Sequence, residues 1–513
     1  MTARRVHPGQ TFNMAAYTIG RAALVHGDKP ALIVVHDARR PSAIETWSYA
    51  RLERAVLAVA AGYRERGLER GDRVLIRLDN TSAYPIAFFG AIAAGLVPVA
   101  TSAALTAREV AFLLADSGAR AVVVAPSLPL DPSPAGVETI TAAEIAGFIA
   151  SAPSSTYTFT RADEPAFLIY TSGTTAEPKG VVHAHRSVVG RRPMVEGWYG
   201  LTAQDRVLHA GAFNWTYTLG TGLTDPWANG ATAIVVTGEK DASLWPSVIA
   251  QTGATIFAGA PGVFRQILKY GAPAHDNLGQ LRHGLIAGET PQPGLFEAWL
   301  AATGRPLYEA LGQSEISTYV SSSPSVPRVA GAAGKPQPGR RVAILAMEGG
   351  SEPVAAGVEG FLAVHRSDPG LMLGYWNRPG EDASVTRGDW FIGGDLAVMD
   401  EAGYVFHRGR ADDVIKAQGY RVAPQEVEAV LARHPDVAEV ACCAIEVTPG
   451  VNVVGAFIVA REGVAPDASA ILAFAAGELA DYKRPREVVF VQALPRTANG
   501  KVKRKALVGV AKG

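Results

Sequence analysis

AFLIYTSGTTAEPKG, residues 166–180, sets an apolar run against a loop crowded with hydroxyls. Ala166–Tyr170 is short and continuously apolar, the pattern of a strand buried on both faces. Thr171, Ser172, Thr174 and Thr175 surround Gly173, and Lys179 follows. Glycine lets a backbone approach a ligand closely, and hydroxyl and backbone N–H groups suit phosphate oxygens. The G-x-x-x-x-G-K-[ST] order of a P-loop is missing. The stretch therefore predicts a phosphate-binding loop of another kind. The alternative is a polar surface loop between a strand and a helix.

On either side of this loop, helix and strand patterns alternate. Leu52, Val56, Val59 and Tyr63 recur at helical spacing, and RVLIRL (73–78) reads as a strand. Thr106 and Glu109 fit a capping box, and ARAVVVA (119–125) reads as the next strand. ATAIVV (231–236) and ATIFAG (254–259) continue the series. The alternation predicts an α/β fold with layered, largely parallel sheets up to about residue 330. There AGAAGKPQPGRRVAILA (330–346) and GVEGFLAVH (357–365) announce a smaller β-rich subdomain. From residue 411 a further α+β unit is expected. It carries a helix in PQEVEAVLARH (424–434), strands in VAEVACCAI (437–445) and VVGAFIVA (453–460), and a helix near 468–481. The predicted organisation is a large N-terminal domain, 1–410, and a small C-terminal domain, 411–513.

Composition narrows the function classes. The 513 residues are 48% hydrophobic and 19% charged with a formal net charge of zero, so neither nucleic acid nor an anionic membrane is expected as partner. No apolar h-region follows the basic N-terminus. Cys442 and Cys443 are adjacent, which argues against a disulfide framework and fits a reducing cytoplasm. Residues 80–107 carry no charge, but Pro85, Gly90, Gly95 and Pro98 interrupt them. A buried helix and a short strand VPVA are expected there, not a membrane span.

Four segments, taken together and in order, resemble the adenylate-forming superfamily, and most closely its benzoate and medium-chain acid–CoA ligases. The first is TSGTTAEPKG (171–180), with Ala176 where the family usually has glycine. The second is YEALGQSE (308–315), with Gly312, Ser314 and Glu315 in place and Leu311 in an aliphatic variant of an adenine-packing position. AGE (287–289), with Gly288 and Glu289, resembles the strand end lining the adenine and acyl sites. The third runs from WFIGGD (390–395) to GRADDVIKAQGYRV (409–422), and the fourth is LPRTANGKVKR (494–504).

The resemblance implies a role for each. Glu315 holds Mg²⁺ against ATP phosphates, whose charge must be neutralised before a nucleophile approaches. Asp395 accepts both ribose hydroxyls, a task that suits a carboxylate, which only accepts. Arg410 contacts ribose or phosphate. Asp412 is the hinge of a mobile C-terminal lid, and Lys501 reaches the acyl carboxylate and α-phosphate. Gly419, with Tyr420 and Arg421, lines the path of coenzyme A. Phe213, Trp215 and Tyr217 either wall a compact acyl pocket or belong to the core, and Gly259 and Ala260 lend room. His183 and His185 receive no role.

The expected reaction is ATP-dependent activation of an aromatic, alicyclic or medium-chain carboxylic acid as acyl-AMP, then transfer to coenzyme A. The rivals are an adenylate-former with another acyl acceptor, and an inert nucleotide-binding protein of the same fold. No carrier-like segment is recognised in the sequence, which favours coenzyme A. The resemblance is also compatible with a homo-oligomer and with a lysine acyltransferase acting on Lys501.

Overall fold

A computed structural model describes residues 9–128, 130, 136–152, 155–171, 178–238, 241–292, 294–417, 420–448, 451–465, 467–496 and 502–510. Two mostly parallel sheets dominate the large N-terminal part. In the seven-stranded sheet, the run Pro165–Thr171, Val97–Ala100, Arg73–Arg77, Ala121–Val124, Glu138–Thr141 is parallel throughout. Lys179–Ala184 and Gly374–Tyr375 extend it antiparallel at one edge. The nine-stranded sheet is parallel from Leu307–Gln313 through His283–Ala287, Ile256–Gly259, Arg206–His209 and Thr232–Val236 to Pro30–Val35. Helices cover these sheets, so their central strands are apolar on both faces.

The uncharged stretch near residue 90 is core. Tyr84–Ala93 of the helix Ala83–Ala93 is wholly buried, and Val97–Ala100 is a central strand. Burial of Phe88 and Phe89, both fully inaccessible, contributes roughly 1.5–3 kcal/mol each. Leu52, Val56, Val59 and Tyr63 line the buried face of the helix Tyr49–Glu65. Thr106 and Glu109 form the expected reciprocal cap. Among the described residues no helix is long and apolar enough to cross a membrane.

The β-rich subdomain is a five-stranded antiparallel sheet built from Val342–Leu345, Glu359–His365, Thr386–Arg387, Trp390–Met399 and Val405–Arg410. The small C-terminal part pairs Val437–Thr448 with Val451–Ala460 and adds Glu487–Phe490. Helices Pro424–Leu431 and Ala468–Glu478 pack on one face of it and bury Cys442, while Cys443 is buried on the other face with Leu494 and Leu507.

Candidate active site

The hydroxyl-rich loop joins two strands, not a strand and a helix. Thr171 pairs with Lys179 at the loop end of an antiparallel hairpin. The reason is the run Lys179–Ala184, whose β-branched Val181 and Val182 favour extension. Ser172, Gly173, Thr174 and Thr175 lie outside the described residues, as do Gly419 and Lys501. Lys179 forms an ion pair with Glu381, and its ammonium sits 5.4 Å from the Tyr375 ring centroid.

Tyr375 links this hairpin to the acidic motif. Its strand pairs with Lys179–Ala184, and its hydroxyl donates to Glu315 Oε1 at 2.7 Å. Gly312 and Gln313 end the strand Leu307–Gln313, and Ser314 and Glu315 lie in the turn into Ser317–Ser321. Met372 N–H donates to the Glu315 carbonyl at 2.7 Å. Ser317 is left-handed at φ 70°, uncommon without glycine. Arg191 Nη1 donates to its hydroxyl. The same guanidinium clamps Asp225 with two bonds of 2.7 Å, and that pair is buried.

The third motif meets the second through tertiary contact. Asp395, 5% exposed, lies on the long strand Trp390–Met399 directly opposite Arg410. Gln313 Nε2 donates to its Oδ2, and His407 Nε2 lies 3.1 Å from its Oδ1. Gln313 reaches Asp395 past Gly393, where any β-carbon would fall 1.5 Å from the Gln313 amide oxygen. Arg410 donates to Gly393 O at 2.6 Å and to Asp412 Oδ1 at 3.1 Å, and Asp412 itself is exposed.

The electrostatics agree with this clustering. Burial opposes the Asp395 charge, but the His407 bond and charge, then Arg410 and Gln313, overcome it and hold its carboxyl below the usual range. Burial likewise opposes the Arg410 charge, and Asp395, Asp412 and Glu315 outweigh it, so the guanidinium stays protonated. Burial first, then Asp395, raises the Tyr319 phenol well above its ordinary range; Arg410 and Glu315 act on the same ring. Gln313 thus ties Asp395, which lies opposite Arg410, to the turn that carries Glu315.

The acyl candidates divide. Gly288 has φ 96°, and a β-carbon there would fall 2.5 Å from the Trp215 ring. Glu289 follows it, half-buried. Trp215 meets Tyr217 edge-on at 5.5 Å, and the Tyr217 hydroxyl donates to Leu285 O at 2.9 Å. Gly259 ends its strand beside this group, and Ala260 precedes the helix Pro261–Tyr270. Phe213 instead packs against Tyr84, 5.2 Å between centroids, in the N-terminal core.

In the C-terminal part, Tyr420 begins a short strand paired with Ile415–Ala417, and Arg421 lies opposite Lys416. Arg496 and Val502 bridge across the segment that contains Lys501. Glu439 accepts from Arg265 at 2.9 Å and from Arg496 at 2.8 Å. Sequence reading passed over Tyr375, Gln313, His407, Arg191 and Glu381. A tyrosine or histidine within an ordinary strand pattern carries no chemical signal of its own.

Residues 19–376 match the AMP-binding enzyme family, and residues 426–501 match the AMP-binding enzyme C-terminal domain. The chain belongs to the AMP-binding enzyme family and is an adenylate-forming, acid–thiol ligase type of enzyme. It is 30% identical to a 3-hydroxybenzoate–CoA ligase of Aromatoleum sp. (strain CIB), covering 89% of this chain and 90% of that one. It is 32% identical to a benzoate–CoA ligase of Thauera aromatica over 85% of this chain and 86% of the relative. Its fold superimposes on a benzoate–CoA ligase from Burkholderia xenovorans LB400 with a TM-score of 0.85 at 29% identity, covering 97% and 99% of the two chains.

Proposed function

We propose that this chain activates an aromatic carboxylic acid with ATP and transfers the acyl group to coenzyme A. The observation that carries the reading is the chain of contacts that runs from Asp395, opposite Arg410, through Gln313 to the turn bearing Glu315, and from Glu315 through Tyr375 to the hairpin that bears the hydroxyl-rich loop. A carboxylate is a poor acyl donor because oxide would have to leave. Attack of the acid on the α-phosphorus of ATP expels pyrophosphate and replaces oxide with AMP as leaving group. A coenzyme A thiolate then attacks the acyl carbon and AMP departs. Asp395 would receive the ribose hydroxyls. Arg410 and the loop hydroxyls would hold phosphate oxygens by preorganised electrostatics.

The donor set at Glu315 fits Mg²⁺. Tyr375 engages one of its oxygens, and no cluster of three His, Cys, Asp or Glu exists among the described residues. Mg²⁺ prefers one or two carboxylates completed by substrate phosphates and water. Bound there, it would neutralise the phosphate charge. Lys179 is engaged with Glu381, so its part is to anchor the loop's end, with phosphate contact reserved for the nucleotide-bound form.

The aromatic preference rests on Trp215 and Tyr217 beside Gly288 and Gly259, and on the substrates that the relatives' names print. Residues 1–410 form the catalytic body and 411–513 a lid that turns about Asp412. Lys501 serves adenylation, and the Gly419 segment then replaces it for thioester formation.

Pyrophosphate release with ATP and Mg²⁺ tests this over benzoate, hydroxybenzoates, cyclohexanecarboxylate and straight-chain acids, each with and without coenzyme A. Turnover that requires an aromatic acid and coenzyme A together is expected. A single burst indifferent to coenzyme A would overturn the acceptor. Best turnover with a straight-chain acid would overturn the substrate class.

A further inference from the structure

The strand Val405–Arg410 runs antiparallel to Trp390–Met399, and its register slips at one point. Asp395 lies opposite Arg410 and Leu396 opposite Gly409, but Ala397 lies opposite His407, so Arg408 is bulged out. Residues directly opposite in an antiparallel pair share a face, and faces alternate along a strand. Asp395 and Ala397 therefore share one face. Without the bulge Arg408 would be the partner of Ala397 and would stand on that face. With it, His407 takes the place and Arg408 is exposed. Bulges commonly re-aim a side chain in this way.

We infer that His407 is a positioning residue for the nucleotide site, holding the Asp395 carboxylate in the plane that receives the ribose hydroxyls. The inference rests on the reading of Asp395 as the ribose acid. An ionised carboxylate accepts only, so His407 Nε2, 3.1 Å from Oδ1, is the donor. Gln313 donates to Oδ2 from the other side. A carboxylate offers about four acceptor positions, and these two donors engage one on each oxygen. One acceptor position on each oxygen is then left for a vicinal diol. Both donors arrive on fixed backbone, His407 through the bulge and Gln313 past Gly393. Side-chain exposures of 17% for His407 and 7% for Asp395 keep water from competing strongly for the bond.

The test uses the full-length enzyme and compares ATP with 2′-deoxy-ATP and 3′-deoxy-ATP in acid-dependent pyrophosphate release. His407→Leu should raise KM for ATP about tenfold, the range for a hydrogen bond to a charged group. KM for the acid should stay unchanged. The deoxy nucleotides should suffer less, so the preference for ATP shrinks. His407→Gln, which keeps an N–H donor, should restore most of that preference. Equal loss with all three nucleotides would make His407 merely structural and overturn the inference. A wild-type enzyme indifferent to the ribose hydroxyls would instead overturn the reading of Asp395 on which it rests.

Discussion

Tyr375 donates its phenolic proton to Glu315 Oε1 across 2.7 Å, joining two residues 60 positions apart. Burial, and then the Glu315 charge, push the Tyr375 phenol far above its ordinary range, so it is a neutral donor at any working pH. The acid proposed to meet Mg²⁺ is thus held by the strand that flanks the hydroxyl-rich hairpin.

Tyr375→Phe keeps the ring and removes only this donor. A hydrogen bond to a charged group is worth about 1.5–3 kcal/mol. Pyrophosphate release at limiting Mg²⁺ should fall at least tenfold (about 1.4 kcal/mol), with partial recovery as Mg²⁺ rises. An unaltered Mg²⁺ titration would show that Glu315 needs no such partner.

Gly288 and Trp215 should behave as one unit. Gly288→Ala places a β-carbon 2.5 Å from the Trp215 ring at a φ of 96°, which must displace the indole. Activity with benzoate should drop sharply. Trp215→Ala alone should shift preference toward bulkier acids, and the double variant should recover part of what Gly288→Ala loses. Such non-additivity is the mark of residues in contact. Strictly additive kcat/KM effects across an acid panel would count against the pair as a shared wall.

Arg191 supports the Glu315 turn from beneath. Asp225→Ala leaves that guanidinium buried without its partner, a loss of about 3–5 kcal/mol. Ser317→Gly removes the hydroxyl that Arg191 holds and also relieves the left-handed backbone. Its stability should change by less than about 1 kcal/mol, while pyrophosphate release falls. Chemical unfolding beside activity assays separates the two, and a Ser317→Gly enzyme with full activity would deny the turn any need of this support.

Two buried histidines set an acid limit. Burial lowers His183 to about 3 and His185 to about 4 from an ordinary 6.5, with Arg191 adding to the first and Glu164 partly opposing the second. Both are neutral in the fold, where His183 stacks on Phe167 at 4.6 Å and His185 Nδ1 accepts from Met14 N–H. Below about 6.5 the unfolded chain binds their protons and the folded chain does not. Stability should therefore fall as pH drops from that point toward the folded values, by up to about 1.4 kcal/mol per unit for each. Unfolding free energies measured between pH 6.5 and 4 check this, and His183→Leu should flatten the slope by about one proton.

What could be read in advance depended on distance along the chain. The apolar strand before the loop and the box of Thr106 and Glu109 are legible because each signal lies within a few residues, and Glu315 and Asp395 stand out in the same local way as acids inside their motifs. The hairpin was not legible, since KGVVHA is too short a run to show its partner until Pro165–Thr171 is known to lie beside it. Gln313 and Asp395 are 82 residues apart, and only the fold makes them neighbours. The bulge at Arg408 is flanked by Gly409 at φ 102°, but a glycine before Arg410 reads in the sequence only as part of GRADD. Among the aromatics of 213–217, spacing alone did not separate Phe213, which packs on Tyr84, from Trp215, which covers Gly288.

The crossing of Gln313 past Gly393 leaves no room for a side chain at 393 while the amide stays on Asp395. Any substitution at 393 must push the amide aside, because its β-carbon would occupy the oxygen's place. The bond from Gln313 that ties the acid motif around Glu315 to Asp395 would then be displaced. In a saturation scan under selection for turnover, position 393 should be as intolerant as the charged positions it serves, although it touches no substrate. A map of tolerance would thereby trace where two remote segments of the chain were locked into a single evolutionary unit.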